Sequence, residues 1–99
     1  MKVRYTLPAL ADLDEILNYL APRSPRGAAR VQGRIKTFVD LLPSHPLIGG
    51  RTDDPTIRRL VVTPHPYLVF YEVGDDENII HKIRHSARDP STMAGSAPP

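Results

Sequence analysis

The chain contains no cysteine among its 99 residues, which excludes a disulfide framework and a thiolate zinc site. Its four histidines follow no HExxH-type spacing, so neither a metal centre nor any other cofactor is expected. No apolar run approaches the roughly 20 residues that a membrane span requires. The N-terminus also lacks the apolar core of a signal peptide. A reducing, cytoplasmic setting is therefore the expectation. Internal repeats are absent, and Gly49-Gly50 is a lone pair in a loop rather than a phosphate-cradling glycine motif. Charge is not one-sided either: thirteen Lys/Arg stand against eleven Asp/Glu, for a net charge of +2.

The distribution of charge is more informative than its sum. Asp12, Asp14 and Glu15 cluster early, and Asp75, Asp76 and Glu77 mark a turn. Arg58, Arg59, Lys82, Arg84 and Arg88 gather in the C-terminal half. A basic sheet there would suit an acidic protein surface or a nucleic acid, with polyanion affinity falling as salt rises. Ordinary solvated charge on exposed strand faces accounts for the pattern equally well.

A chain of this length makes one small domain, placed here at residues 1–90. Val3 to Tyr5 reads as a first strand. After Pro8, tolerated in a first helical turn, Leu10, Leu13, Ile16, Leu17 and Leu20 step by three and four along one helix face. Ala21-Pro22-Arg23 ends that helix. Ser24-Pro25 opens a second, with serine as N-cap and proline at the first helical position. Ala28, Val31, Ile35, Phe38 and Leu42 carry its apolar period to Pro43. So short a connection makes the two helices an antiparallel hairpin. Pro43 to Thr56 is a long loop, a type often functional or mobile in compact domains.

Three strands in meander order follow. Ile57 to Thr63 leads through the Pro64-His65-Pro66 turn to Tyr67 to Val73, apolar on both faces and therefore central. A Gly74-to-Asn78 turn leads to the last strand, Ile79 to His85. Strict alternation would put Ile79, His81, Ile83 and His85 on one side, with Ile80, Lys82 and Arg84 on the other. Ser91 to Pro99 has no apolar period and is expected to be a disordered tail.

The helix ALADLDEILNYL, the strand pair IRRLVV…PYLVFYEV and the ending HSARDP, in this order, resemble the RelE/ParE superfamily of type II toxin–antitoxin toxins. The resemblance runs from about Lys2 to Pro90. It implies an α+β fold of order β-α-α-β-β-β, an antiparallel sheet packed against an α-hairpin. It also implies a cognate antitoxin, ParD-like or RelB-like, that forms a hetero-oligomer with the toxin and neutralises it. RelE-like members cut mRNA on the ribosome, whereas ParE-like members inhibit DNA gyrase. RelE-like sequences commonly place arginine after the tyrosine of the third strand, where this chain has Tyr67-Leu68. They also often carry a late aromatic residue, and none follows Tyr71. HSAR followed by Asp-Pro looks more like the ParE side, and only Arg88 matches a RelE-type catalytic arginine position. The expectation is a ParE-like binding inhibitor of gyrase rather than an enzyme. A ribosome-dependent endoribonuclease and a non-toxic antitoxin-binding module are the alternatives.

RNA cleavage by 2′-hydroxyl attack would need proton-transfer groups and cations around the phosphate. Arg88, His85 and Arg58 are the candidates, with His65 as another proton carrier. Arg58 and Arg59 are adjacent in a strand and must point to opposite faces. The plainer account of His85 and Arg88 is that they tie down the end of the last strand. Expected target contacts are Arg59, Arg84, Arg88 and His85. Leu68, Phe70 and Ile80, if left uncovered on the second sheet face, would form an apolar groove for an antitoxin helix.

Overall fold

A computed structural model describes residues 2–88. Its elements are β1 (Lys2–Tyr5), α1 (Leu7–Leu20), α2 (Pro25–Val39), β2 (Gly50–Arg51), β3 (Ile57–Val61), β4 (Tyr67–Val73), β5 (Glu77–His85) and a 3-10 turn at Ser86–Arg88. The expected tail, Ser91 to Pro99, lies outside the described residues. Among the described residues no helix is long and apolar enough to cross a membrane.

Both helix starts are chemically specified. The Thr6 hydroxyl accepts the Ala9 N–H, and the Ser24 hydroxyl accepts the Gly27 N–H at 3.0 Å. Each cap satisfies one of the donors that a helix N-terminus leaves unpaired. A proline follows each cap within two positions, where no N–H is needed. Since α1 begins at Leu7, its first turn holds no acid. Asp12, Asp14 and Glu15 lie further in, so the helix dipole does not account for them.

The five-stranded sheet has the order β1-β5-β4-β3-β2. β3, β4 and β5 form the expected antiparallel meander with β4 at its centre. β1 joins β5 in parallel, with Val3 opposite Asn78 and Tyr5 opposite Ile80. The sheet is thus mixed rather than wholly antiparallel, because the α-hairpin carries the chain from β1 across to the far edge. The second departure is β2, two residues of the long loop paired with Arg58 and Arg59.

Helices and sheet close on one core. Val31, Ile35 and Val39 of α2 meet Leu60, Val69, Tyr71, Ile80 and Ile83, joined by Ala9 of α1. The outline of α1 is otherwise less buried: Leu13, Ile16 and Leu20 pack on the core from partly buried positions, while Leu10 stays 47% exposed. Each fully buried aliphatic side chain contributes about 1.5–3 kcal/mol relative to exposure.

Candidate functional site

A register irregularity between β4 and β5 decides which side chains reach which face. Phe70 opposes Lys82, but the next residue, Tyr71, opposes Ile80. His81 is therefore the extra residue of a β-bulge, and alternation along β5 is reset there. Ile80 and Ile83 consequently both face the helices. Strict alternation had assigned Ile80 to the opposite side with Lys82 and Arg84; the bulge overturns that.

The face away from the helices is built on Leu68 and Phe70. Their exposures are only 3% and 4%, and Ile80 is fully buried in the helix-side core. The expected apolar groove of Leu68, Phe70 and Ile80 is therefore not an open surface in the free chain. Neighbouring strands explain the closure. Phe70 lies between Arg59 and Lys82, and Leu68 between Val61 and Arg84. The Lys82 ammonium sits 4.6 Å from the Phe70 ring centroid, so its aliphatic stem covers apolar surface while the charge stays wet. The long loop does not cover this face, because it is anchored on the helix side.

Arg59 and Lys82 flank Phe70 at a distance of about two strand spacings, roughly 10 Å from each other in backbone terms. No ion pair among the described residues neutralises either. Two ion pairs lie elsewhere on the sheet. His81 Nε2 lies 2.8 Å from Glu72 Oε1, and Arg4 Nε donates to Glu77 Oε1 at 3.1 Å. The face thus offers two uncommitted cations over a buried aromatic floor, an arrangement suited to gripping anionic groups.

Of the groups that would serve RNA cleavage, Arg58 and His85 have partners within the fold. Arg58 projects to the loop, donating through Nη1 to the Gly49 carbonyl at 2.7 Å. His85 ends β5, where its Nδ1 accepts the Ala87 N–H at 3.1 Å. That bond assigns the ring proton to Nε2 in the neutral imidazole. Its ring stands edge-on to Tyr67 with centroids 5.3 Å apart. Ser86 N–H donates to the Pro66 carbonyl, so this corner is tied to the β3–β4 turn that carries His65. Arg58 lies three residues from the Val61 end of β3, about 10 Å down the strand. Arg88 closes the 3-10 turn.

Arg84 is committed as well. Its Nη1 donates to Asp12 Oδ2, the oxygen that also accepts the Ile83 N–H at 3.0 Å. Beside this pair a shallow cleft opens between α1 and the end of β5. It comprises two adjoining hollows of about 270 Å³ each that share Glu15, Ile16 and His85. The structure therefore gathers Arg84 and His85 at one corner and leaves Arg59 two strands away. Sequence reasoning named neither Lys82 as a contact nor Asp12 as the partner of Arg84. The adjacency of Phe70 and Lys82 emerges only from cross-strand register.

The loop between α2 and β3 is held by one tyrosine. The Tyr71 hydroxyl donates to the Pro46 carbonyl at 2.7 Å and accepts the Gly49 N–H at 2.9 Å. Burial pushes the Tyr71 hydroxyl above its ordinary pKa, although the Gly49 N–H and the Arg58 charge pull the other way. Tyr5 is raised too, first by burial and then by the Asp40 charge. A raised folded pKa means that the unfolded chain loses its proton first, near pH 10. Stability is thus complete below that pH and declines as pH rises through the folded values. Urea midpoints measured upward from about pH 9 should fall with a slope that Tyr71→Phe reduces; an unchanged slope would refute the assignment.

The architecture is thus an α-hairpin laid across a five-stranded sheet, with Arg59 and Lys82 on the outer face. One solved structure, described as the chromosomal ParDE toxin–antitoxin system from P. aeruginosa, superposes with a TM-score of 0.76 at 25% identity, covering 86% of this chain and 95% of that one. YafQ from E. coli shares the fold at a TM-score of 0.57 and 16% identity, covering 87% and 93%. The toxin RelE2 of Caulobacter vibrioides is 44% identical over 87 residues, 88% of this chain and 97% of that protein. Residues 3–90 match the family described as ParE toxin of the type II toxin–antitoxin system, parDE. The chain belongs to the ParE toxin family, within the RelE/ParE superfamily, and that membership implies an antitoxin partner.

Proposed function

We propose that this toxin acts in the cytoplasm by binding DNA gyrase through its outer sheet face, and not by cutting RNA. The observation that supports the reading is the engagement of Arg58 and His85, two of the three nuclease candidates, by partners within the fold. Arg58 is spent on the Leu47 and Gly49 carbonyls and the His85 Nδ1 on the Ala87 N–H. Arg59 and Lys82, by contrast, remain uncommitted beside Phe70. A ribosome-dependent endoribonuclease is the second reading, favoured by the name of the RelE2 relative.

The antitoxin segment is assigned to a different surface. A groove of about 400 Å³ lies between β1, α1 and α2, lined by Val3, Tyr5, Leu10, Leu13, Ile35 and Val39. Ile35 and Val39 form its buried floor, Val3, Tyr5 and Leu13 are half-buried and Leu10 is exposed, and β1 is an edge strand with unpaired backbone groups. One set of variants tests both assignments. The purified chain should inhibit gyrase supercoiling and leave ribosome-bound mRNA intact. Arg59→Glu/Lys82→Glu should weaken inhibition at least tenfold while retaining antitoxin capture. Leu10→Glu should do the reverse. Cleaved mRNA with unaffected gyrase would overturn the mechanism, and capture insensitive to Leu10→Glu would overturn the groove.

A further inference from the structure

Away from both surfaces, α2 carries a charge pattern that the fold does not require. Arg26, Arg30 and Arg34 recur every fourth residue, so they form one stripe, with successive positions about 6 Å apart along the helix axis. The helix contains no acidic residue at all, and its remaining cation, Lys36, is paired with Asp40 just beyond its end. Among the described residues no ion pair involves the three arginines. Arg26 and Arg30 are exposed. Arg34 spends only its Nε, on the Thr63 carbonyl at 2.7 Å, and its guanidinium rests 5.0 Å from the Phe38 ring centroid.

This arrangement works against helix stability. Like charges four residues apart repel. Arg26, at the second helical position, faces the positive end of the helix dipole. Gly33, in mid-helix beside the stripe, lowers propensity further, and a Cβ there would meet nothing within 4 Å. No packing need accounts for that glycine. With Ala29 and Thr37 it leaves a low ridge next to the arginines, over which a ligand can approach the helix closely.

We infer that the Arg26–Arg30–Arg34 stripe of α2 binds the phosphodiester backbone of a nucleic acid. Arginine forks match phosphate oxygens in pairs, and the axial step of the stripe is comparable with the separation of successive phosphates on one strand. A protein partner is the weaker fit. Arginine also anchors protein interfaces, but the residues beside the stripe, Ala29, Gly33 and Thr37, are small and add no apolar anchor to it. Backbone contacts without a base-reading element give affinity without sequence preference. The inference does not rest on gyrase as the target, since it concerns a separate helix face.

Anisotropy titrations of the antitoxin-free full chain with short labelled DNA and RNA duplexes test it. Three phosphate contacts correspond to a slope of log K against log salt near −2.7 on B-DNA, a loss of roughly 40-fold between about 50 and 200 mM. Arg26→Glu/Arg30→Glu should weaken binding at least tenfold at the lower salt and reduce the slope by about 2. Arg26→Lys/Arg30→Lys should largely restore both. Thermal melts confirm folding, and Arg26→Gln/Arg30→Gln serves if charge reversal unfolds the helix. The inference is overturned if the wild-type chain binds neither duplex at low salt. It is equally overturned if loss follows Arg59→Glu/Lys82→Glu instead, or if the α2 variants bind duplex normally. Weakened antitoxin capture with intact duplex binding would reassign the stripe to an acidic protein.

Discussion

Tyr71→Ala should remove most of the stability of this toxin. Tyr71 is fully buried at the centre of the helix-side core, and truncating a buried aromatic typically costs about 3–5 kcal/mol. Small domains begin with only about 5–15 kcal/mol in total. The loss exceeds a cavity term because the hydroxyl also organises the loop. Without it the Pro46 carbonyl and the Gly49 N–H lose their partner. Arg58, which reaches the Gly49 carbonyl of the same loop, would lose its acceptor as the loop loosens. Tyr71→Phe separates the two effects: it keeps the ring and should cost about 1–3 kcal/mol for the unpaired polar groups. Gly49→Ala approaches the same joint from the other side, since a Cβ there would lie 2.7 Å from Tyr71 Cε1 and 3.0 Å from the Arg59 carbonyl oxygen. Urea denaturation of the three variants checks the scheme. A Tyr71→Phe variant as stable as wild type would show that the loop is held by something else.

That clamp also shows where sequence reading reaches its limit. The helices were legible because their signals are local: Ser24-Pro25 is a cap and a first-turn proline, and the apolar steps through Val31 and Ile35 carry their period within a few residues. The central place of β4 was legible from apolar residues on both its faces. β2 was not. Gly50-Arg51 has no strand pattern, and it pairs with Arg58 and Arg59 only because Tyr71 and Arg58 pin the preceding loop beside β3.

The faces of β5 were misassigned for a related reason. Ile79-Ile80 places two apolar residues in succession, and alternation alone cannot choose which turns inward. The bulge at His81 makes the choice, set by the register with β4. Leu68, Phe70 and Ile80 consequently separate onto two faces, all closed. Of the expected target contacts, Arg59 keeps an open cationic position, while Arg84 and His85 form an internally bonded corner. Arg26, Arg30 and Arg34 differ again. Their four-residue spacing is plain in the sequence, but only the structure shows that no acidic group answers it.

Asp12→Ala should lower the melting temperature by about 8–16 °C, from a loss of about 2 kcal/mol at roughly 4–8 °C per kcal/mol in a domain of this size. The reason lies in how the sheet edge is finished. β1 covers β5 only as far as Ile80; beyond it the chain leaves the sheet to enter α1. The Thr6 N–H takes the Ile80 carbonyl and the Thr6 hydroxyl takes that of His81. The next outward donor, the Ile83 N–H, finds no strand and is met by the Asp12 carboxylate at 3.0 Å. A side chain from a helix, 71 positions earlier in the chain, thus substitutes for one rung of the ladder. Most of the predicted loss is this orphaned N–H, worth about 1–3 kcal/mol when buried. The Arg84 pair adds little, because the Arg84 side chain is 41% exposed and solvent screens it. Asp12→Asn retains an acceptor oxygen and should recover more than half of the loss, even though the ion pair is gone. Hydrogen exchange resolves the two contributions: the Ile83 amide should exchange far faster in Asp12→Ala and nearly normally in Asp12→Asn. Equal destabilisation by both substitutions, with Ile83 protected throughout, would assign Asp12 to the ion pair alone and remove it from the sheet edge.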